Sequence, residues 1–168
     1  MINRIFKYLF SKRQSGFNDT VKLEGIVHYV LKDMYGKVKE ERLIKNTIPD
    51  AGKALLAALM ITDVGAAGVD YIALGVGTPS ATALGSESST NGGARRGGAD
   101  VTGSLTTTTT TNDTAQFTTT FTFTGNLGLY EEGLFTAAVG TMLASQAFEI
   151  LNVVSGDTLA ITHKLKVA

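Results

Sequence analysis

Strict alternation of apolar and polar residues marks the first ordered stretch of the chain. Val21, Leu23, Val27, Tyr29 and Leu31 fall on one side of an extended backbone, and Lys22, Glu24, His28 and Lys32 on the other. A period of two predicts a half-buried β-strand. Tyr35-Gly36 predicts a turn, and residues 38–44 a returning strand. That strand, VKEERLI, is heavily charged, which marks a solvent-facing surface or a protected edge.

The period then changes. Residues 50–61 are rich in Ala and Leu, with Pro49 and Asp50 at the start, and predict a helix that Asp50 caps. Its apolar stripe is Ala51, Leu55, Ala58 and Leu59. Residues 69–76 read as a buried strand, and residues 77–98 as a long Gly/Ser/Ala/Thr loop carrying Pro79 and Arg95-Arg96. Loops of more than about 12–15 residues inside a domain tend to be functional or mobile.

The C-terminal half predicts strands throughout. Residues 101–111, which include six consecutive threonines at 106–111, pair across Asn112-Asp113 with residues 115–124. Phe117, Thr119, Phe121 and Phe123 share one face of the hairpin, and Gln116, Thr118, Thr120, Thr122 and Thr124 form a hydroxyl ladder on the other. Strands at 129–136, 141–148 and 158–167 follow, the last with Leu159, Ile161, His163, Leu165 and Val167 on one face. The expected fold is mainly β: an antiparallel β-sandwich or open barrel with one packed helix at about 50–61. It forms a single domain over residues 20–168, with the long loop at 77–98.

Residues 1–19 stand apart as a docking arm. Ile2, Ile5, Phe6, Leu9 and Phe10 recur at helical spacing among Arg4, Lys7, Lys12 and Arg13, which predicts a short amphipathic helix. The apolar residues are interrupted by Arg4 and Lys7, so the segment is read as part of the mature chain and not as a signal peptide. Isolated helices shorter than about 12–15 residues are marginal in water. The arm therefore docks on its own domain, on another chain or on a membrane surface. Another chain is the expectation, with Ile2, Ile5, Phe6, Leu9, Phe10, Arg95 and Arg96 as the candidate docking residues.

Composition narrows the partner class. The 168 residues carry zero formal net charge, and only 18% are charged, so nucleic acid is not an expected partner. A surface this uncharged suits a protein that lives within a larger assembly. The absence of cysteine removes disulfides, thiolate catalysis and Cys-based zinc sites. The longest apolar run, 54–61, is far short of the ~20 residues that span a bilayer, and no membrane partner is expected.

Candidate chemistry is sparse. His28 and His163 lie far apart in sequence and read as ordinary strand histidines. Glu131-Glu132 is a close carboxylate pair, but neighbours on a strand point to opposite faces and cannot act on one substrate. The pair is expected at a strand edge, with one member able to reach Arg95 or Arg96 of this or a neighbouring subunit. Gly75-Val76-Gly77 lacks the further glycines, helix and lysine of a nucleotide loop and predicts a tight turn. Asn18-Asp19-Thr20 and Asn112-Asp113-Thr114 match a glycosylation pattern but read as turns. No catalytic, cofactor-binding or metal-binding residue is expected.

Three blocks resemble small virion structural proteins of tailed bacteriophages: VDYIALGVGTPSATALGSE at 69–87, NDTAQFTTTFTFTGNLGLYEEGLF at 112–135, and TMLASQAFEILNVVSGDTLAITHKLKV at 141–167. The strand pair and helix at 22–61 are similar to that group as well. The N-terminal arm is not matched, and the 77–98 loop is longer than is usual there. The resemblance implies a capsid decoration or cement subunit, or alternatively a tail, neck or fibre-base component able to bind host glycans. It implies other virion proteins as partners, homo-oligomers, assembly in the host cytoplasm and residence in the virion. It carries over no catalytic residues.

Overall fold

Alternation at the start of the chain folds as β1 (Leu23–Lys32), whose Val27, Tyr29 and Leu31 are buried while Glu24, Ile26 and Lys32 face solvent. The structure, a computed structural model, describes residues 22–60, 68–80 and 82–167. The expected N-terminal helix, with Ile2, Ile5, Phe6, Leu9 and Phe10, lies outside them.

After β1 come β2 (Val38–Lys45), helix α1 (Asp50–Leu59), β3 (Tyr71–Gly75) and the two-residue β4 (Arg96–Gly97). A short 3-10 turn (Gly98–Asp100) leads into β5 (Thr102–Thr106). The remaining strands are β6 (Thr114–Thr122), β7 (Leu127–Phe135), β8 (Met142–Val153) and β9 (Thr158–Val167). They form two antiparallel sheets, a five-stranded one in the order β2-β1-β9-β6-β5 and a four-stranded one in the order β4-β3-β7-β8. Among the described residues the fold is a β-sandwich with a single α-helix, one of the two architectures that the pattern predicts.

The core lies between the sheets. Val27, Tyr29, Leu31, Phe121, Leu159 and Ile161 enter from the larger sheet, and Ile72, Leu74, Leu129, Leu134 and Leu151 from the smaller. Burying each such aliphatic or aromatic side chain stabilises the fold by about 1.5–3 kcal/mol. A second apolar cluster, Ala73, Leu84, Phe135 and Met142, sits on the outer side of the smaller sheet, beneath the long loop.

Several local expectations need correction. Helix α1 starts after Pro49, and no side chain caps it. Asp50 is its first residue, and its carboxylate pairs with Lys53 at 2.8 Å. Gly52 and Leu55 are the buried positions, whereas Leu59 is largely exposed, because the helix rests on β8 through its first turns. A Cβ on Gly52 would lie 2.0 Å from the Leu143 carbonyl oxygen, so only glycine permits this approach.

The six-threonine run is mostly turn: β5 ends at Thr106, and Asp113 folds the rest into the hairpin tip. Its carboxylate accepts the backbone N–H groups of Thr108, Thr109 and Thr110, an alternative to the strand ladder that β-branching alone does not anticipate.

Candidate functional site

Glu131 and Glu132 are both fully buried, not a strand-edge pair. Their opposite orientations hold. Glu131 points outward from the smaller sheet, under the long loop, and Glu132 points into the sandwich. Neither reaches Arg95.

The loop closes over Glu131. Its Oε1 accepts the backbone N–H groups of Gly77 (3.2 Å) and Ser86 (2.9 Å), and its Oε2 accepts that of Gly85 (2.9 Å). Three peptide donors replace water around a buried carboxylate, which is how such a charge becomes tolerable. The glycines make room for this: a Cβ on Gly75 would lie 2.2 Å from Glu131 Oε1, and one on Gly85 2.1 Å from the Thr78 carbonyl oxygen. Close backbone approach, more than a tight turn, is what the 75–85 glycines serve.

Arg95 fastens the far end of the same loop. Its Nε and Nη2 donate to the two carboxylate oxygens of Glu87 at 2.9 and 2.6 Å, and Nη1 donates to the Ala137 carbonyl at 2.7 Å. The guanidinium lies 3.8 Å over the Phe135 ring. Arg96 lies 3.6 Å from Asp100 and 5.5 Å from the Phe121 ring. Of the candidate docking residues, Arg95 and Arg96 thus have partners within the chain, and Ile2, Ile5, Phe6, Leu9 and Phe10 fall outside the described residues.

Inside the sandwich, Glu132 Oε1 is 3.1 Å from His163 Nδ1, and Asn46 Nδ2 is 2.8 Å from His163 Nε2. With Asn46 so placed, its amide donates to Nε2, and Nδ1–H donates to Glu132. Tyr29 lies close enough to feel the Glu132 charge. Burial, reinforced by that charge, pushes its phenol well above the usual value, so it stays protonated. Neither the Tyr29 hydroxyl nor Glu132 Oε2 has a hydrogen-bond partner of good geometry. His163 is therefore more than an ordinary strand histidine, yet it is fully buried and offers no access to a substrate. His28, on the outer face, pairs with Glu41 at 2.8 Å.

The accessible features are a face and an edge. On the outer face of the larger sheet, strand register sets side chains in rows: Leu43-His28-Thr162-Thr118-Thr102, Lys45-Ile26-Lys164-Gln116-Ser104, and Glu41-Val30-Ala160-Thr120. The β9-β6-β5 half is a hydroxyl-rich field with few charges. Sequence reading found its β6 column and missed the rows, because register between distant strands is not visible in a single segment.

Of the four sheet edges, three are guarded. β2 is charged along its length. β8 is bridged by Thr47, which exchanges backbone bonds of 2.8 and 2.9 Å with Ser145. Arg42 also reaches β8, donating to the Glu149 and Ile150 carbonyls, and α1 packs on it. β4 is two residues long. β5 has none of these devices. Its TGSLT sequence has no charge and no proline, its register with β6 is unbroken, and four of its five residues are exposed. The uncharged run from 101 to 112 was the legible signal.

Among the described residues, no cluster of three or more His, Asp or Glu could hold a metal, and no helix is long and apolar enough to cross a membrane. No family model, curated protein or solved structure matches the chain.

Proposed function

We propose that this protein is a structural subunit of a tailed-bacteriophage particle, seated on the capsid lattice as a decoration or cement protein. One observation carries the reading: the buried carboxylates and the buried histidine are spent on internal partners, while the β9-β6-β5 half of the larger sheet's outer face is accessible, weakly charged and rich in hydroxyls. Such a face suits contact with other protein surfaces and lacks the convergent polar groups of a catalytic pocket. The resemblance of the 69–87, 112–135 and 141–167 blocks to virion proteins supplies the particle. Neighbouring virion proteins are the partners, and the role requires no catalysis.

Location in an image reconstruction of the particle, together with copy number, tests the assignment. Hundreds of copies on the head are expected. Absence from purified particles, with unchanged particle stability when the gene is deleted, would sink it.

A second reading, a tail, neck or fibre-base component that binds host glycans, draws on Tyr35. That ring is 86% exposed at the β1-β2 turn beside exposed Met34, and aromatic rings of this kind stack on sugars. Tens of copies or fewer, and glycan-array binding lost in Tyr35→Ala, would move the assignment there.

A further inference from the structure

We infer that the bare edge of β5 is a self-association site, where a second copy of this chain adds its own β5 antiparallel across a two-fold axis. The inference rests on the assembly reading above and names one contact within it. An open edge presents unpaired N–H and C=O groups, a template for another strand. Among the described residues, no backbone hydrogen bond from another part of the chain reaches the free side of Thr102–Thr106.

Two observations select a second copy as the occupant. The first is charge. In a two-fold pairing every residue meets a residue of the same strand, so any charge near the axis faces its own copy. β5 is uncharged throughout, and the penalty vanishes. In β2 an axis on Lys39, Glu40, Glu41 or Arg42 would set that charge against its own copy.

The second is shape. Leu105 and Gly103 share the inner face of β5, since they pair with Ala115 and Phe117 on β6. Leu105 is 66% exposed, an apolar side chain that its own sandwich leaves uncovered. At Gly103 the nearest neighbours of an added Cβ would be two ring carbons of Phe117 at 3.9 Å, so the ring edge is open there. A two-fold axis at Ser104 sets each Leu105 opposite the partner's Gly103, so each leucine fills the space beside the other's Phe117. Thr102 then faces Thr106, and Ser104 faces its copy on the outer face.

Five paired residues span about 17 Å of strand and bury less than a standard interface. The contact is accordingly weak in isolation and gains strength where many copies are held together.

Analytical ultracentrifugation of the full chain from about 10 µM to 1 mM tests it. Wild type is expected to dimerise within that range. Ser104→Lys and Ser104→Glu, each alone, should weaken association about tenfold or more, because like charges meet at the axis. An equimolar mixture of the two should restore it as a heterodimer. Ser104 is exposed, so both variants are expected to fold; superimposable circular dichroism checks this. A monomeric wild type at 1 mM overturns the inference. So does association that neither substitution changes, or a mixture that fails to restore it. In each of these cases the virion assignment still stands or falls separately, on particle location and copy number.

Discussion

The two outer faces of the sandwich have opposite fates. On the smaller sheet, the chain covers itself: the loop after β3 returns over Ala73, Phe135 and Met142, inserts Leu84, and is held by Glu131 at one end and Arg95 at the other. On the larger sheet nothing in the described residues returns: rows of threonine, alanine and glutamine remain accessible over β9, β6 and β5, beside Lys164, and the β1-β2 half carries Ile26, His28, Glu41 and Lys45. Both sheets have an apolar inner face, but the smaller is apolar on its outer side too, at Ala73, Phe135 and Met142, where the larger alternates to polar residues. Covering that second apolar face also buries backbone, which requires donors and acceptors to satisfy it, and here a buried carboxylate and a clamped arginine meet that requirement. A face left open needs no such apparatus and stays free for another chain.

The largest test falls on the covered face. Glu131→Ala leaves three loop N–H groups buried without an acceptor and opens a cavity. A loss of about 3–5 kcal/mol is expected, read as a fall in the urea midpoint. Glu131→Gln keeps the volume but turns one oxygen into a donor that faces other donors, and should cost about 1–3 kcal/mol. Wild-type stability in Glu131→Ala would mean that the loop is not held by this carboxylate. Next comes Arg95→Ala, which removes the Glu87 pair, the Ala137 bond and the stack on Phe135; about 1–3 kcal/mol should be lost. Arg95→Lys should not rescue it, because a lysine cannot supply the two-pronged carboxylate contact and the stacked plane together.

These sites show how far the sequence could be read. Strand patterns predicted most of the strands, down to β9 beginning at residue 158 and ending at 167, because its buried face is strictly periodic, whereas β8 runs on to Val153, past the expected end at 148, and the two-residue β4 lies within the expected loop. Alternation also placed His163 inward. It misplaced Glu131-Glu132 at an edge, since acidic residues are rarely fully buried and the satisfying donors are peptide groups some fifty residues away. Glutamates between Leu129 and Leu134, in a strand otherwise apolar on both sides, were the available hint. Arg95 was expected to face outward to a partner; its acceptors, Glu87 and the Ala137 carbonyl, come together only when the loop folds back. The helix was found by propensity, but its buried face was displaced because Gly52, not a large apolar residue, makes the close contact.

The open sheet has one locally fastened feature, the β5-β6 hairpin tip. Hydrogen bonds from the backbone N–H groups of Thr110, Thr108 and Thr109, and from the Thr114 hydroxyl, hold the Asp113 carboxyl well below the usual carboxylate range. A carboxyl whose pKa falls on folding contributes stability in full above its unfolded value, about 3.9, and loses it as pH falls toward the folded one. Amide exchange at Thr108, Thr109 and Thr110 should therefore be slow at pH 7 relative to a flexible loop, with protection declining below about pH 4. In Asp113→Asn the protection is weaker at pH 7 and its acid dependence is gone. An unchanged acid profile in that variant would separate the tip's order from this carboxylate.

The smallest change in stability is expected where the comparison makes its strongest functional claim. Thr120 is exposed in the middle of the open face, opposite Ala160. Thr120→Glu leaves the core untouched and replaces one exposed side chain by another of lower strand preference, so stability should move by no more than about 0.5–1 kcal/mol. If the face is a contact surface, the same charge is buried without a partner when the subunit docks, and incorporation into particles should fall sharply. Quantitative mass spectrometry of purified particles, with the folded variant confirmed in the lysate, separates the two effects. Full incorporation of Thr120→Glu would leave the open face without its proposed role, and the difference between the two sheets would then be one of covering alone.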